Sequence, residues 1–143
     1  MPMSRRSLLA LAGSLALACV ACVNPLDPFN NEDDFRHLQK RFTQYVRWGK
    51  VHEASVFVVE DQREEFLGLA HELSDIRFTD YEITRLDYEK ESAFVDVTLR
   101  GYRLTTPVER VVHLAQSWEK TDASGWLVRL ELAELKSGLG SPQ

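Results

Sequence analysis

The chain has 143 residues, 44% of them hydrophobic, and a formal charge of −5. That length supports one domain around one hydrophobic core. The acidic balance argues against nucleic acid, whose phosphates need a basic face, and against broad electrostatic adhesion to anionic lipid.

Residues 1–18 have the three parts of an export signal. Arg5 and Arg6 supply a short positive region, and Leu8 to Ala18 is an uncharged apolar run. The run is shorter than the roughly 20 apolar residues that cross a bilayer. It ends Leu15-Ala16-Leu17-Ala18-Cys19, which resembles the lipobox of bacterial lipoproteins. The resemblance implies diacylation of the Cys19 thiol and cleavage before it, leaving 143 − 18 = 125 residues at a charge of −5 − 2 = −7. Cys22 fits less well, because Cys19 would then stand three places before the cut. Ala16 departs from the leucine commonest at its position. An ordinary cleaved signal is the alternative, and a Cys-x-x-Cys redox pair would normally open a helix rather than sit in a tether. Ser4-Arg5-Arg6-Ser7-Leu8-Leu9 is similar to a twin-arginine export motif, with Ala10 where lysine is frequent. Export by either route places the domain in the cell envelope, facing the periplasm. Val20 after the anchor is compatible with the outer membrane.

Residues 19–31 then form a lipidated tether rich in proline and asparagine. Residues 32–135 are expected to be a single α+β domain and 136–143 a flexible tail. The first helix spans about Glu32 to Trp48, with Asn31 as cap and acids in the first turn. Phe35, Leu38, Phe42, Tyr45 and Val46 share one stripe, and Gly49 stops it. A short second helix covers Lys50 to Val58. A third opens on Asp61 and Glu64 as a capping box and carries Phe66, Leu69, Ala70 and Leu73.

From Ile76 the hydrophobic period falls to two. Strands are expected over Arg77–Tyr88, Ala93–Leu104, Val108–Lys120 and Trp126–Leu135, with Val108, Val112, Leu114 and Trp118 sharing one face of the third. In the second strand Ala93, Val95, Val97 and Leu99 point one way, and Phe94, Asp96, Thr98, Arg100 and Tyr102 the other. Short turns between alternating strands predict an antiparallel meander with the preceding two to three helices on one of its faces.

This order of elements resembles the nuclear transport factor 2-like (cystatin-like) superfamily. Tyr45-Val46-Arg47-Trp48-Gly49-Lys50-Val51-His52-Glu53-Ala54 is similar to its first helical hairpin, and Gln116-Ser117-Trp118-Glu119 with Gly125-Trp126 to the sheet tryptophans of small bacterial members. The resemblance spans roughly residues 32–133 and implies a curved sheet whose helices can enclose a pocket. It implies no single function, because the fold hosts both enzymes and inert assembly modules. The lack of a helix between the strands implies a small pocket.

Two functional readings remain open. In one, the domain is a non-enzymatic binding or assembly module, with Phe94, Tyr102 and Arg100 as a partner surface for an envelope protein or a second copy. In the other, Tyr45, Asp96 and His113 converge in a pocket and do isomerase- or dehydratase-like acid–base chemistry. His37, His52 and His71 read as exposed helix residues, and Ser55 lacks a nucleophile elbow. The four histidines have no ligand spacing, so neither a metal nor a cofactor is expected. Trp48, Trp118 and Trp126 read as core aromatics.

Overall fold

The computed structural model describes residues 31–140. Four helical segments lead: α1 (Asn31–Arg47), α2 (Val51–Ser55), α3 (Glu60–Leu67) and α4 (Ala70–Ser74). Strands β1 (Ile76–Tyr88), β2 (Ser92–Arg103), β3 (Thr106–Thr121) and β4 (Gly125–Leu130) follow, and α5 (Leu132–Leu139) closes the chain. The sheet is a meander of order β1-β2-β3-β4 with every neighbouring pair antiparallel. The α+β architecture expected from the sequence is therefore the observed one. The expected signal, the expected lipidation site Cys19 and the expected tether up to residue 30 lie outside the described residues.

α1 forms because its apolar residues recur on one face. Phe35, Phe42 and Val46 are buried on that face, Glu32, Asp33 and Asp34 fill the first turn, and Arg47 ends it. Its stop is a Schellman turn. Gly49 takes a positive φ of 65°, its N–H donates to Val46 O at 3.0 Å, and the Lys50 N–H reaches Tyr45 O at 2.8 Å. The helix begins at Asn31 itself, one residue earlier than expected, so Asn31 lies within its first turn.

Three other expectations are corrected by the structure. The third helix is two helices, interrupted around Gly68, the residue of lowest helix propensity in that stretch. Its capping box does not form: Val59 precedes α3 without a side-chain cap, and the Asp61 carboxylate is taken by Arg129. The helix starts at Glu60, so Asp61 stands inside its first turn rather than at the cap position. The fourth strand stops at Leu130, and Leu132–Leu139 is helical.

That last correction extends to the tail. Leu132, Leu135 and Leu139 are buried on one face of α5, which packs on β3. A Cβ at Gly138 would lie 3.1 Å from Val112 Cα, so the missing side chain is what lets the helix approach. Arg103 Nη2 donates to the carbonyls of Leu139 and Gly140, and Arg110 Nη1 to that of Leu139 at 3.3 Å. These cations sit at the carbonyl end of α5, where the helix dipole favours them. Residues 136–140 are thus held structure rather than a loose tail, and residues 141–143 lie outside the description.

The core fills the space between helices and sheet. Trp118 stands edge-on between Phe35 and Phe42, with centroids 5.6 and 5.4 Å away and interplanar angles of 83° and 89°. Such pairs add about 0.5–1.5 kcal/mol each beyond their buried area. Val112 and Leu114 join Trp118 on this face as expected, but Val108 does not, being 62% exposed. The cause is position: the β2–β3 hairpin is exposed from Leu104 to Glu109.

One polar cluster lies inside this core. Gln39, Thr43 and Gln116 are all buried. Gln39 Nε2 donates to Thr43 Oγ1 at 2.9 Å and Gln116 Oε1 at 3.2 Å. Gln116 Nε2 donates to Thr43 Oγ1 at 3.3 Å, and Trp118 Nε1 to Gln116 Oε1 at 3.0 Å. The cluster ties α1 to β3 and leaves the core polar but paired.

Candidate functional site: the outer face of the sheet

Alternation along β2 divides its side chains between two environments. Ala93, Val95, Val97 and Leu99 enter the core, while Phe94, Asp96, Thr98 and Tyr102 are half-buried and Arg100 is exposed on the outer face. Thr98 pairs with His113 across the sheet, and Thr98 Oγ1 lies 3.4 Å from His113 Nδ1. Asp96 pairs with Ala115, which makes Asp96 and His113 diagonal neighbours on that same face.

Tyr45 is elsewhere. It stands on α1, half-buried, with its ring 6.3 Å from that of Phe57. The three residues of the acid–base reading are therefore not brought together: Asp96 and His113 share the outer face, and Tyr45 belongs to the helical layer. The reason is the two-residue side-chain period of a strand, which sends Asp96 away from the helices because Val95 and Val97 point toward them. His37, His52, His71 and His113 are all exposed. Among the described residues no group of three or more histidines, cysteines or carboxylates could hold a metal ion.

Phe94 and Tyr102 do share the outer face, but not as a pair. Eight residues of one strand separate them, or about 26 Å at the usual strand rise. Phe94 lies under the Arg85 guanidinium, 5.0 Å from its ring centroid, and Arg85 Nε also donates to Asp87 Oδ2 at 2.6 Å. Arg100 is only loosely engaged, its Nη2 being 4.0 Å from Glu82 Oε2.

The Phe94 end of this face is concave. A groove of about 670 Å³ is lined by Phe94, Asp96, Ala115, Ser117 and Arg129, with Glu65 and Glu131 to Glu134 at its margin. Its floor is low because Ala115 and Ser117 have small side chains. Arg129 is fixed by Asp61, whose carboxylate receives Nη1 at 2.8 Å and Nη2 at 3.1 Å. The hydrogen bonds from Arg129 hold the Asp61 carboxyl below its ordinary pKa; desolvation is the next largest effect and opposes them, and the Arg129 charge adds a smaller lowering. A second hollow shares Phe94 and Ser117 and is bordered by Asp87, Glu89 and Glu119.

Sequence reasoning did not find Gln62, Arg129 or the Gln39–Thr43–Gln116 cluster. It also placed Trp48 among core aromatics, whereas Trp48 is 59% exposed while Trp118 and Trp126 are buried. The neighbouring Gly49 was the available signal, since a residue beside a helix-ending glycine need not face the core.

No protein-family model and no curated protein matches this chain. Among solved structures, a Campylobacter jejuni protein described as a candidate NTF2-like transpeptidase is similar over 70% of this chain and 97% of its own, with 17% sequence identity and a TM-score of 0.46. A likeness at that level assigns no activity to this chain. No helix among the described residues is long and apolar enough to cross a membrane.

Proposed function

We propose that this chain is a lipid-anchored, non-enzymatic binding or assembly module of the bacterial envelope. Acyl chains on Cys19 hold it to the membrane, and the outer face of the sheet around Phe94 receives an envelope protein or a second copy. The observation that carries this reading is the groove itself: an aromatic ring and a fixed arginine border a small-residue floor, on a face that no helix covers at Arg100 or His113. Aromatic and arginine side chains are the commonest energetic anchors of protein interfaces. On the other side of the sheet, Phe35, Phe42, Phe66 and Trp118 fill the space between the layers.

The test is native mass spectrometry of the protein extracted from the membranes of its own host, run beside the Phe94→Ala and Tyr102→Ala double variant. The expected result is a chain lipidated on Cys19 that carries a protein partner or a second copy, with association lost in the folded variant. An unlipidated mature chain would overturn the anchor. A lipidated monomer retaining a small molecule, or a variant that associates as the parent does, would overturn the binding reading.

A further inference from the structure

The opposite end of the domain has a further hollow, of about 290 Å³, at the junction of α1, α4, β1 and the end of β2. Arg47, Trp48, Leu73, Ile76, Arg77 and Leu104 line it, so its ionic groups are two arginines and no carboxylate. That local sign opposes the chain's formal charge of −5. The Leu104 N–H donates to Asp75 O at 2.9 Å, which holds the end of β2 against the α4–β1 junction.

Arg47 is pre-positioned here. Its guanidinium carbon lies 5.1 Å from the Trp48 ring centroid and 5.7 Å from that of Tyr81, and Nη2 donates to the Thr79 carbonyl. Its Nε, however, is buried with no hydrogen-bond partner. A buried, unpaired donor on a charged group is costly. Arg77 is exposed and enters none of the described ion pairs. Beside these cations stand two large apolar side chains in contact with water, Trp48 at 59% and Leu104 at 58% exposure.

We propose that this hollow is a binding site for a carboxylate that carries a short apolar body. The carboxylate oxygens accept from Arg47 and Arg77, for which a planar guanidinium fork is the matched donor. The body lies against Trp48 and Leu104 and withdraws them from water. The volume is at the small end of ligand pockets, which suits a short-chain organic acid or the C-terminal residue of a peptide. This site lies at the other end of the sheet from the groove at Phe94 and stands whether or not that groove binds a partner.

The test follows the arginine Nε–H resonances of the ¹⁵N-labelled full chain in a non-ionic detergent, with the Arg47 signal assigned by its loss in Arg47→Lys. The probes are hexanoate, acetate, hexanol, and acetyl-Ala-Leu as free acid and as amide. The Arg47 Nε–H is expected to move saturably with hexanoate or the free-acid peptide, and to stay in place with hexanol and the amide. Acetate should bind about tenfold or more weakly, for want of an apolar body. Arg77→Gln should weaken hexanoate about tenfold, and Leu104→Ser should weaken hexanoate but not acetate. Stronger binding of the peptide acid than of hexanoate identifies a peptide terminus as the source, and the reverse identifies a free acid. An Arg47 signal unmoved by every probe, equal binding of acetate and hexanoate, or an Arg77→Gln chain that binds as the parent does would overturn the proposal.

Discussion

Gln62 takes the place of a fifth strand at Leu130. Its Nε2 donates to the Leu130 carbonyl at 3.1 Å, and its Oε1 accepts from the Leu130 N–H at 2.9 Å. Two residues earlier the backbone does the same work, with Val128 N–H donating to Phe57 O at 2.7 Å and Val59 N–H to Val128 O at 3.0 Å. The free edge of β4 is thereby closed by the segment that joins α2 to α3 and by the first turn of α3. An open edge of this kind is a template for pairing with another chain.

Gln62→Ala should therefore do two things at once. It leaves the Leu130 N–H and carbonyl without partners, which costs about 1–3 kcal/mol. It also uncovers the end of the β4 edge, so self-association should rise with concentration. Urea denaturation reads the first effect and light scattering the second, and hydrogen exchange should quicken at Leu130. An exchange rate unchanged at Leu130 would show that the side chain is not what closes the edge.

The buried cluster makes a contrasting prediction. Gln116→Leu removes the acceptor of Trp118 Nε1 and one of the two acceptors of Gln39 Nε2, and strips one donor from Thr43. We expect a loss of about 1–3 kcal/mol from the groups left unpaired in the core. Gln39→Leu should cost a similar amount. The double variant should cost less than the sum of the two, because each change removes a partner that the other leaves stranded. A double-mutant cycle by chemical denaturation decides it, and strict additivity would contradict the shared network.

Gly138→Ala tests the packing of the last helix. The added Cβ lies 3.1 Å from both Cα and Cγ1 of Val112, closer than ordinary contact. Alanine would favour the helix by up to about 1 kcal/mol, yet overpacking costs about 1–3 kcal/mol. The melting temperature should fall, and exchange protection should be lost first along α5. A rise in melting temperature would mean that α5 lies further from β3 than described.

The pair of Asp61 and Arg129 gives the chain a signature in acid. Arg129 lowers the carboxyl pKa of Asp61 in the folded state. The folded chain therefore binds that proton less readily than the unfolded chain. The stabilisation is present above the ordinary carboxylate pKa and is lost as the pH falls through the lowered one. Asp61→Asn should melt less steeply with falling pH over that window, and the two proteins should draw together in high salt, because both side chains are exposed to solvent. Melting curves from neutral to acid pH measure this, and parallel curves for the two proteins would remove the pair from the account.

Local pattern was enough for much of the fold. The change of period at Ile76 marks the start of β1, the alternation of Ala93 to Arg100 assigns the two faces of β2, and Gly49 ends α1 where a positive φ is needed. Each of these is set by a residue and its near neighbours. The switch from β4 to α5 was hidden because Trp126, Val128, Leu130 and Leu132 alternate like a strand, while Leu132, Leu135 and Leu139 also fit a helix. Val112 and the absent side chain of Gly138 settle that ambiguity, and they are far apart in the chain.

The candidate sites divide the same way. The sequence placed Phe94, Asp96, Arg100 and Tyr102 on one face of a strand, because the side-chain period of a strand is fixed by its backbone. It also fixed what anchor chemistry is expected at Cys19. Only tertiary structure decided that Tyr45 lies apart from Asp96 and His113, that Gln62 closes an edge, and that Arg47, Arg77 and Leu104 meet in one hollow. Those relationships depend on strand register and helix docking, which arise from the packing of the whole core and leave no periodic mark on any one segment.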